Sequence, residues 1–101
     1  MSETIEKLIK TIKSKKGSDV KSSYTSFMLS KGNDHCLSKL KEEVDELENA
    51  IKNKKNTVHE TADVIYDLLV TLESAGVNFD NILKELKRRE GTSGFDEKRN
   101  R

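Results

Sequence analysis

Two neighbouring segments repeat their apolar residues at alternating steps of three and four, which is the spacing of one face of an α-helix. The first stripe consists of Leu37, Leu40, Val44, Leu47 and Ile51. The second consists of Val58, Ala62, Ile65, Leu69 and Leu72. Only a short polar stretch, residues 52–56, separates them. The pattern predicts two long helices, joined by a turn, whose apolar stripes face a core.

The rest of the chain is predicted to be helical as well, since it contains no proline. Shorter helices are expected over residues 1–16, 24–31 and about 78–89, and the long helices over about 33–53 and 57–75. Expected N-caps are Ser2, Asn33 or Asp34, and Asn78 or Asp80, and residues 57–60 match a capping box. The predicted fold is an all-α bundle of four to five helices in a single domain over residues 1–101.

Composition indicates a small core and a restricted set of partners. Of 101 residues, 33% are hydrophobic and 37% are charged, so a helical homodimer is expected to supply the missing apolar burial. The net charge of +1 gives no support to nucleic-acid binding. A single cysteine, Cys36, suits a reducing compartment, and no apolar run is long enough to span a membrane. A cytoplasmic location is therefore predicted.

Each long helix carries a pair of acidic residues at a spacing of three. Glu43 pairs with Glu46 and Glu60 with Asp63, so each pair shares one helix face. If the helices pack antiparallel, four carboxylates converge, and a divalent cation would relieve their repulsion. Two other interpretations remain open: in one, the acidic residues only solvate exposed helix faces, and in the other, Glu60 serves the capping box.

Taken together, these segments resemble the phosphoribosyl-ATP pyrophosphohydrolases, a branch of the all-helical, MazG-like nucleotide pyrophosphohydrolases. Residues 42–46 match an EExxE motif, and residues 60–63 match ExxD. Residues 23–25, Ser-Tyr-Thr, and the tail from Arg88 to Arg101 with its SGxxEK element narrow the resemblance to this branch. The chain departs from the family pattern at Lys15, Lys41 and Asp67, where arginine, glycine and histidine are usual.

The resemblance implies hydrolysis of phosphoribosyl-ATP to phosphoribosyl-AMP and pyrophosphate, the second step of histidine biosynthesis. It also implies Mg²⁺ as cofactor, with Glu43, Glu46, Glu60 and Asp63 as its ligands. Glu42 would be a further ligand or the group that orients and deprotonates water. The alternatives are an enzyme of the same superfamily that removes non-standard nucleoside triphosphates such as dCTP or dUTP, and a non-catalytic helical dimer.

A densely anionic substrate also needs positive groups and backbone amides to bind its phosphates. Residues 91–101 are expected to form a flexible arm that contacts phosphate. The full set of candidates for phosphate binding is Lys15, Lys39, Arg88, Arg89, Ser93, Gly94, Lys98 and Arg101.

Overall fold

The computed structural model describes residues 2–100, and this part of the chain contains helices and no strand. The elements are α1 (Glu3–Lys15), α2 (Tyr24–Lys31), α3 (Asn33–Asn53), α4 (Thr57–Ser74), α5 (Phe79–Arg88) and α6 (Gly94–Arg99). The prediction of an all-α fold is confirmed. The number of helices is six rather than four to five, because the tail contains a short helix of its own.

The long helices α3 and α4 form an antiparallel hairpin. At its turn, the Thr57 hydroxyl donates a hydrogen bond to the Ala50 carbonyl at 3.3 Å. At its open end, the Ser74 hydroxyl lies 2.6 Å from Oδ1 of Asn33. The turn requires left-handed backbone at Lys54 and at Asn56, with φ values of 54° and 61°. The hairpin thus brings the two acidic pairs of the sequence onto neighbouring helices.

Two of the expected helix caps differ from the structure. The N-cap of α3 is Gly32, whose lack of a side chain leaves no cap hydrogen bond, so the prediction of Asn33 or Asp34 was wrong. The N-cap of α4 is Asn56, also without a side-chain hydrogen bond, and Thr57 is already helical. The predicted capping box is therefore not formed, which removes that role from Glu60. The predicted caps Ser2 and Asn78 are confirmed by hydrogen bonds to Ile5 N and Asp80 N.

The core lies at the open end of the hairpin, where α1 and α2 pack against it. Its buried side chains are Ile12, Met28, Cys36, Leu69 and Val70. Cys36 is completely buried, and its thiol donates a hydrogen bond to the Met28 carbonyl at 3.4 Å. The hydroxyls of Thr25 and Tyr66 are hydrogen-bonded to each other and join α2 to α4. Burial is thus concentrated in one half of the molecule.

Much of the predicted apolar stripe is on the surface of the single chain. The side chains of Val44, Ile51 and Val58 are 47%, 58% and 85% exposed. They belong to the half of the hairpin nearest the turn, which neither α1 nor α2 covers. Of the predicted stripes, Leu69 is buried in the core of the single chain, whereas these three residues are not.

The last two helices are joined to each other by ion pairs. Arg88 contacts Glu85 at 2.7 Å and Glu97 at 2.6 Å, which links α5 to α6. Residues 94–99, expected to be part of a flexible arm, are helical, and Ser93 caps them by accepting a hydrogen bond from Asp96 N. Within residues 2–100, no helix is long and apolar enough to cross a membrane.

Candidate metal centre

The acidic pairs of α3 and α4 meet across the hairpin. One carboxylate oxygen from each of Glu43, Glu46 and Glu60 lies within 4.8 Å of the other two. Glu60 also belongs to a second group, with Asp63 and His59, whose potential ligand atoms lie within 4.8 Å of one another as well. The Nε2 atom of His59 lies 3.3 Å from an oxygen of Asp63. The structure therefore brings the four predicted metal ligands into two overlapping groups that share Glu60.

Burial and mutual repulsion make these carboxylates hard to ionise. The pKa of Glu43 is raised from 4.5 to about 7, first by loss of solvent contact and then by the charges of Glu46, Asp67 and Asp63. The pKa of Glu60 is raised as well, by desolvation first and then by Glu46. Without a cation, Glu43 holds a proton for a substantial part of the time at neutral pH.

Two oxygens of this cluster have no hydrogen-bond partner. Oε2 of Glu43 and Oε2 of Glu60 are buried, and no donor within residues 2–100 reaches them. Buried carboxylate oxygens normally accept a hydrogen bond or bind a cation, since leaving them unpaired costs free energy. The donor set consists of carboxylate oxygens, which suits a hard divalent cation such as Mg²⁺. The residues present therefore fit the implied cofactor.

Glu42 lies apart from the cluster, on a more exposed side of α3. Its side chain is 59% exposed and accepts a hydrogen bond from Lys39 at 3.2 Å. The same contact raises the pKa of Lys39 above its usual value. Burial raises the pKa of Tyr24 and of Asp67, and the positive charge of Lys39, a predicted phosphate-binding residue, opposes part of that rise.

The structure does not join the predicted phosphate-binding residues of the tail to this centre. Within residues 2–100, the ion pairs of Arg88 and Arg89 are with Glu85 and Glu97. Ser93, Gly94 and Lys98 of the tail, and Lys15 of α1, likewise form no hydrogen bond with the carboxylate cluster among the described residues. Arg101, also predicted to bind phosphate, lies outside the described residues.

A polar groove of about 280 Å³ opens beside Glu46 and Glu60. Its other walls include the amide side chains of Asn49, Asn53 and Asn56, which supply both hydrogen-bond donors and acceptors. Sequence reasoning did not select these asparagines, although Asn49 and Asn53 follow Glu46 at steps of three and four that return to the same face of α3.

Asp67, noted in the sequence as a departure from the family pattern, was not among the predicted site residues. This residue follows Asp63 by four positions and is only 5% exposed. The helical step of four places it on the same face as Asp63, but its burial depends on the packing of other helices against α4 and is not visible in the sequence of α4 alone.

Comparison with known proteins identifies the family of this chain. The sequence profile of the family described as phosphoribosyl-ATP pyrophosphohydrolase matches residues 5–90. The chain belongs to the phosphoribosyl-ATP pyrophosphohydrolase family. The resemblance drawn from the sequence motifs is thereby confirmed.

Individual members of the phosphoribosyl-ATP pyrophosphohydrolase family match nearly the whole chain. The phosphoribosyl-ATP pyrophosphatase of Rhodobacter capsulatus is 43% identical over 96 residues, which are 93% of each chain. That of Dechloromonas aromatica is 41% identical over 99 residues, covering 96% of this chain and 92% of the relative. A bifunctional histidine biosynthesis protein of Wolinella succinogenes, HisIE, is 39% identical, and the match covers 43% of its length.

Proposed function

We propose that this chain hydrolyses phosphoribosyl-ATP to phosphoribosyl-AMP and pyrophosphate, as the second step of histidine biosynthesis, in a reaction that depends on Mg²⁺. Membership of the phosphoribosyl-ATP pyrophosphohydrolase family supports the reaction and the substrate. The metal dependence is supported by one observation above all. The carboxylate cluster of α3 and α4 contains two buried oxygens with no hydrogen-bond partner among the described residues.

The proposed ligands of Mg²⁺ are Glu43, Glu46, Glu60 and Asp63, which come from two rigid helices. When bound, Mg²⁺ polarises phosphate oxygens and lowers the pKa of water. The hairpin holds the carboxylates close together before the cation arrives, at the expense of their mutual repulsion. Glu43 must release its proton to act as a ligand, because its pKa is about 7 in the absence of metal.

Glu42 is proposed to orient the attacking water and to accept its proton. Glu42 precedes Glu43 in the sequence but lies on the more exposed side of α3, where the hydrogen bond from Lys39 holds its carboxylate. Water needs such a group because it is a poor nucleophile when fully protonated.

Positive groups are proposed to bind the phosphates that the cation does not reach. Lys39 is already on the same helix as Glu42 and Glu43. The other proposed contacts come from Lys15 and from the residues that follow α5, which are Arg88, Arg89, Ser93, Gly94, Lys98 and Arg101. The polar groove beside Glu46 and Glu60 offers a place for the ribose or adenine part of the substrate.

A homodimer is proposed as the working form of this protein. The exposed apolar side chains near the turn, among them Val44, Ile51 and Val58, form a surface that is unusual for a monomer. A shallow apolar groove of about 300 Å³ between Val44, Leu47 and Ile51 lies on the same face. The proposed location is the cytoplasm, in keeping with the single, buried thiol of Cys36.

The reaction is tested by measuring pyrophosphate release from phosphoribosyl-ATP with Mg²⁺ and with excess EDTA. Wild type should turn over only with Mg²⁺, and Asp63→Asn should lower kcat/KM by at least roughly 100-fold, because it removes one charged ligand without changing the side chain's shape. The matched control is Asp45→Asn, which makes the same change at an exposed position of α3 outside the cluster.

Parallel assays with dCTP and dUTP separate this proposal from a role in removing non-standard nucleotides. Turnover of dCTP or dUTP without turnover of phosphoribosyl-ATP would contradict the proposed substrate. Equal turnover by wild type and Asp63→Asn, or full activity in EDTA, would contradict the proposed metal centre.

A further inference from the structure

We propose that Tyr24 is a substrate-binding residue whose ring stacks against the adenine base of phosphoribosyl-ATP. This inference rests on the substrate proposed above and gives a role to the Ser-Tyr-Thr segment, residues 23–25, which the metal centre does not use. Tyr24 is the first residue of α2 and is 55% exposed. Much of its ring is therefore available to a ligand.

The two neighbours of Tyr24 hold the start of α2 beside the hairpin. Ser23 caps the helix, and its hydroxyl oxygen accepts a hydrogen bond from a backbone N–H at 3.1 Å. The hydroxyl of Thr25 is hydrogen-bonded to that of Tyr66 on α4. Since Tyr66 follows Asp63 by three residues, this contact lies about one helical turn from a proposed metal ligand. The backbone of Tyr24 is thus fixed while its ring stays exposed, an arrangement that lowers the entropy cost of binding.

The ring of Phe27 adjoins that of Tyr24 and already has its own partners. The centroids of the two rings are 6.4 Å apart, and their planes are tilted by 31°. Phe27 also has Nζ of Lys31 at 5.6 Å from its centroid and the ring of His35 at 5.9 Å in an edge-on contact. Tyr24 has no second aromatic contact within residues 2–100, so it is the ring that can accept a base.

The aromatic pair lies within reach of the carboxylate cluster. His35, which contacts Phe27, is followed on α3 by Lys39 and Glu43 at steps of four, so Glu43 lies about 12 Å farther along the helix axis. A nucleoside triphosphate spans such a separation. Loss of solvent contact raises the pKa of Tyr24, the charges of Asp67 and Glu43 add to the rise, and Lys39 opposes it. The Tyr24 hydroxyl is therefore close to both helices of the hairpin.

The chemistry of the two available surfaces favours α2 for the base. The polar groove beside Glu46 and Glu60 has asparagine and lysine side chains in its walls and no aromatic ring. A base presents a π-face that stacks on an aromatic side chain, whereas ribose hydroxyls pair with amides. The adenine is thus assigned to Tyr24, and the groove remains suitable for ribose.

Steady-state kinetics with phosphoribosyl-ATP at saturating Mg²⁺ test the stack. Tyr24→Ala should raise KM roughly 5- to 150-fold, the range expected for the loss of one base–aromatic stack, and should change kcat little. Tyr24→Phe keeps the ring and should stay close to wild type. The matched control is Val20→Ala, which shortens a side chain that is 44% exposed in the loop before α2 and should leave KM unchanged.

Fluorescence gives a second measurement that does not depend on turnover. The chain contains no tryptophan, so Tyr24→Trp introduces a single one at the proposed stacking position. Phosphoribosyl-AMP with Mg²⁺ should quench its emission, because the base stacks on the indole. Pyrophosphate with Mg²⁺ has no base and should leave the emission unchanged.

The outcomes separate the role of Tyr24 from the proposed reaction. If wild type hydrolyses phosphoribosyl-ATP and Tyr24→Ala has the same KM, the stack is refuted and the reaction stands. Equal rises of KM in Tyr24→Ala and Tyr24→Phe would also refute it, because they would assign the effect to the hydroxyl. A Tyr24→Ala chain that loses self-association in light scattering would place the ring in an interface between chains and refute the stack. If wild type does not hydrolyse phosphoribosyl-ATP, both proposals fail.

Discussion

At the scale of single residues, the main feature of this protein is a set of carboxylates held where ionisation is unfavourable. Glu43 lies between the two helices of the hairpin, and desolvation together with its acidic neighbours raises its pKa to about 7. The pKa values of Glu60 and Asp67 are raised in the same direction. Stability in the absence of metal therefore depends on protons at these residues.

We expect the metal-free protein to lose stability as the pH rises from 5 to 8. A raised carboxyl pKa means that the folded state binds a proton that the unfolded state has released. The stabilisation by that proton is complete below the unfolded pKa of 4.5, and it is lost as the pH passes through the folded value of about 7. The melting temperature in EDTA should fall across this range, and Glu43→Gln should reduce the fall.

Magnesium provides the control for this pH dependence. Its binding competes with protons, so its stabilising effect should increase as the pH rises from 5 to 8. A melting temperature that rises with pH in EDTA, for wild type and Glu43→Gln alike, would contradict the assignment of the proton to Glu43.

The sequence was sufficient to predict which carboxylates share a helix face, but not how deeply they are buried or which side chains they contact. The spacing of three within each pair was enough to place Glu43 with Glu46, and Glu60 with Asp63. The burial of Asp67 and the contact between His59 and Asp63 depend on side-chain packing in three dimensions. Aspartate is usually exposed, so the residue type does not indicate the burial of Asp67, and the exposed His59 reaches Asp63 through a helical step of four that many surface residues share.

At the scale of helices and turns, periodicity predicted the hairpin well, because long amphipathic helices give a strong signal. The predicted end of α3 at Asn53 is confirmed, and the predicted end of α4 near Ala75 agrees with the last helical residue, Ser74. The short helix α6 was missed. Its six residues carry only one large apolar side chain, Phe95, which is 80% exposed, so no periodic stripe marks it.

Removal of the tail after Glu90 should affect substrate binding more than stability. A chain that ends after Glu90 lacks α6, which buries no residue, so its melting temperature should change little. If the tail binds phosphate, its loss should raise KM for phosphoribosyl-ATP by about tenfold or more, as expected for the loss of a hydrogen bond to a charged group. Steady-state kinetics at saturating Mg²⁺ measure both KM and kcat.

A single substitution distinguishes loss of the tail's phosphate-binding residues from loss of the ion pair that positions the tail. Glu97→Gln removes the charge that binds Arg88 at 2.6 Å and leaves every proposed phosphate-binding residue in place. We expect it to raise KM less than the truncation does. Unchanged kinetics in the truncated chain would refute the role of the tail in substrate binding.

At the scale of the whole molecule, the single chain is more extended than a compact domain of its size. Its Cα radius of gyration is 15.6 Å, with extents of 47 × 34 × 27 Å. A compact chain of ~100 residues has a radius of gyration of about 13 Å. Two parts of the chain lie outside the core: the half of the hairpin near the turn, which exposes its apolar stripe, and the helices α5 and α6, which bury no residue.

We expect the dimer to use this projecting half of the hairpin. Replacing Ile51 and Val58 together by lysine should weaken self-association by roughly 100-fold or more, since burying each apolar side chain contributes about 1.5–3 kcal/mol. Light scattering during size-exclusion chromatography would measure the change in mass at several protein concentrations. Val20→Lys is the control, because Val20 is 44% exposed in the loop between α1 and α2, away from the hairpin turn. A wild-type chain that is monomeric at high concentration would refute the dimer.

The complete burial of Cys36 has a practical consequence for following the motions of this protein. The chain contains no other cysteine, so every reaction with a thiol reagent reports on one position. The thiolate is the reactive form, and burial raises the pKa of this thiol. A reagent can modify Cys36 only when the core around it opens, since the thiol is packed with Ile12, Met28 and Val70 and bonds to the Met28 carbonyl. The rate of modification therefore measures how often this core opens in the native protein, without an added label.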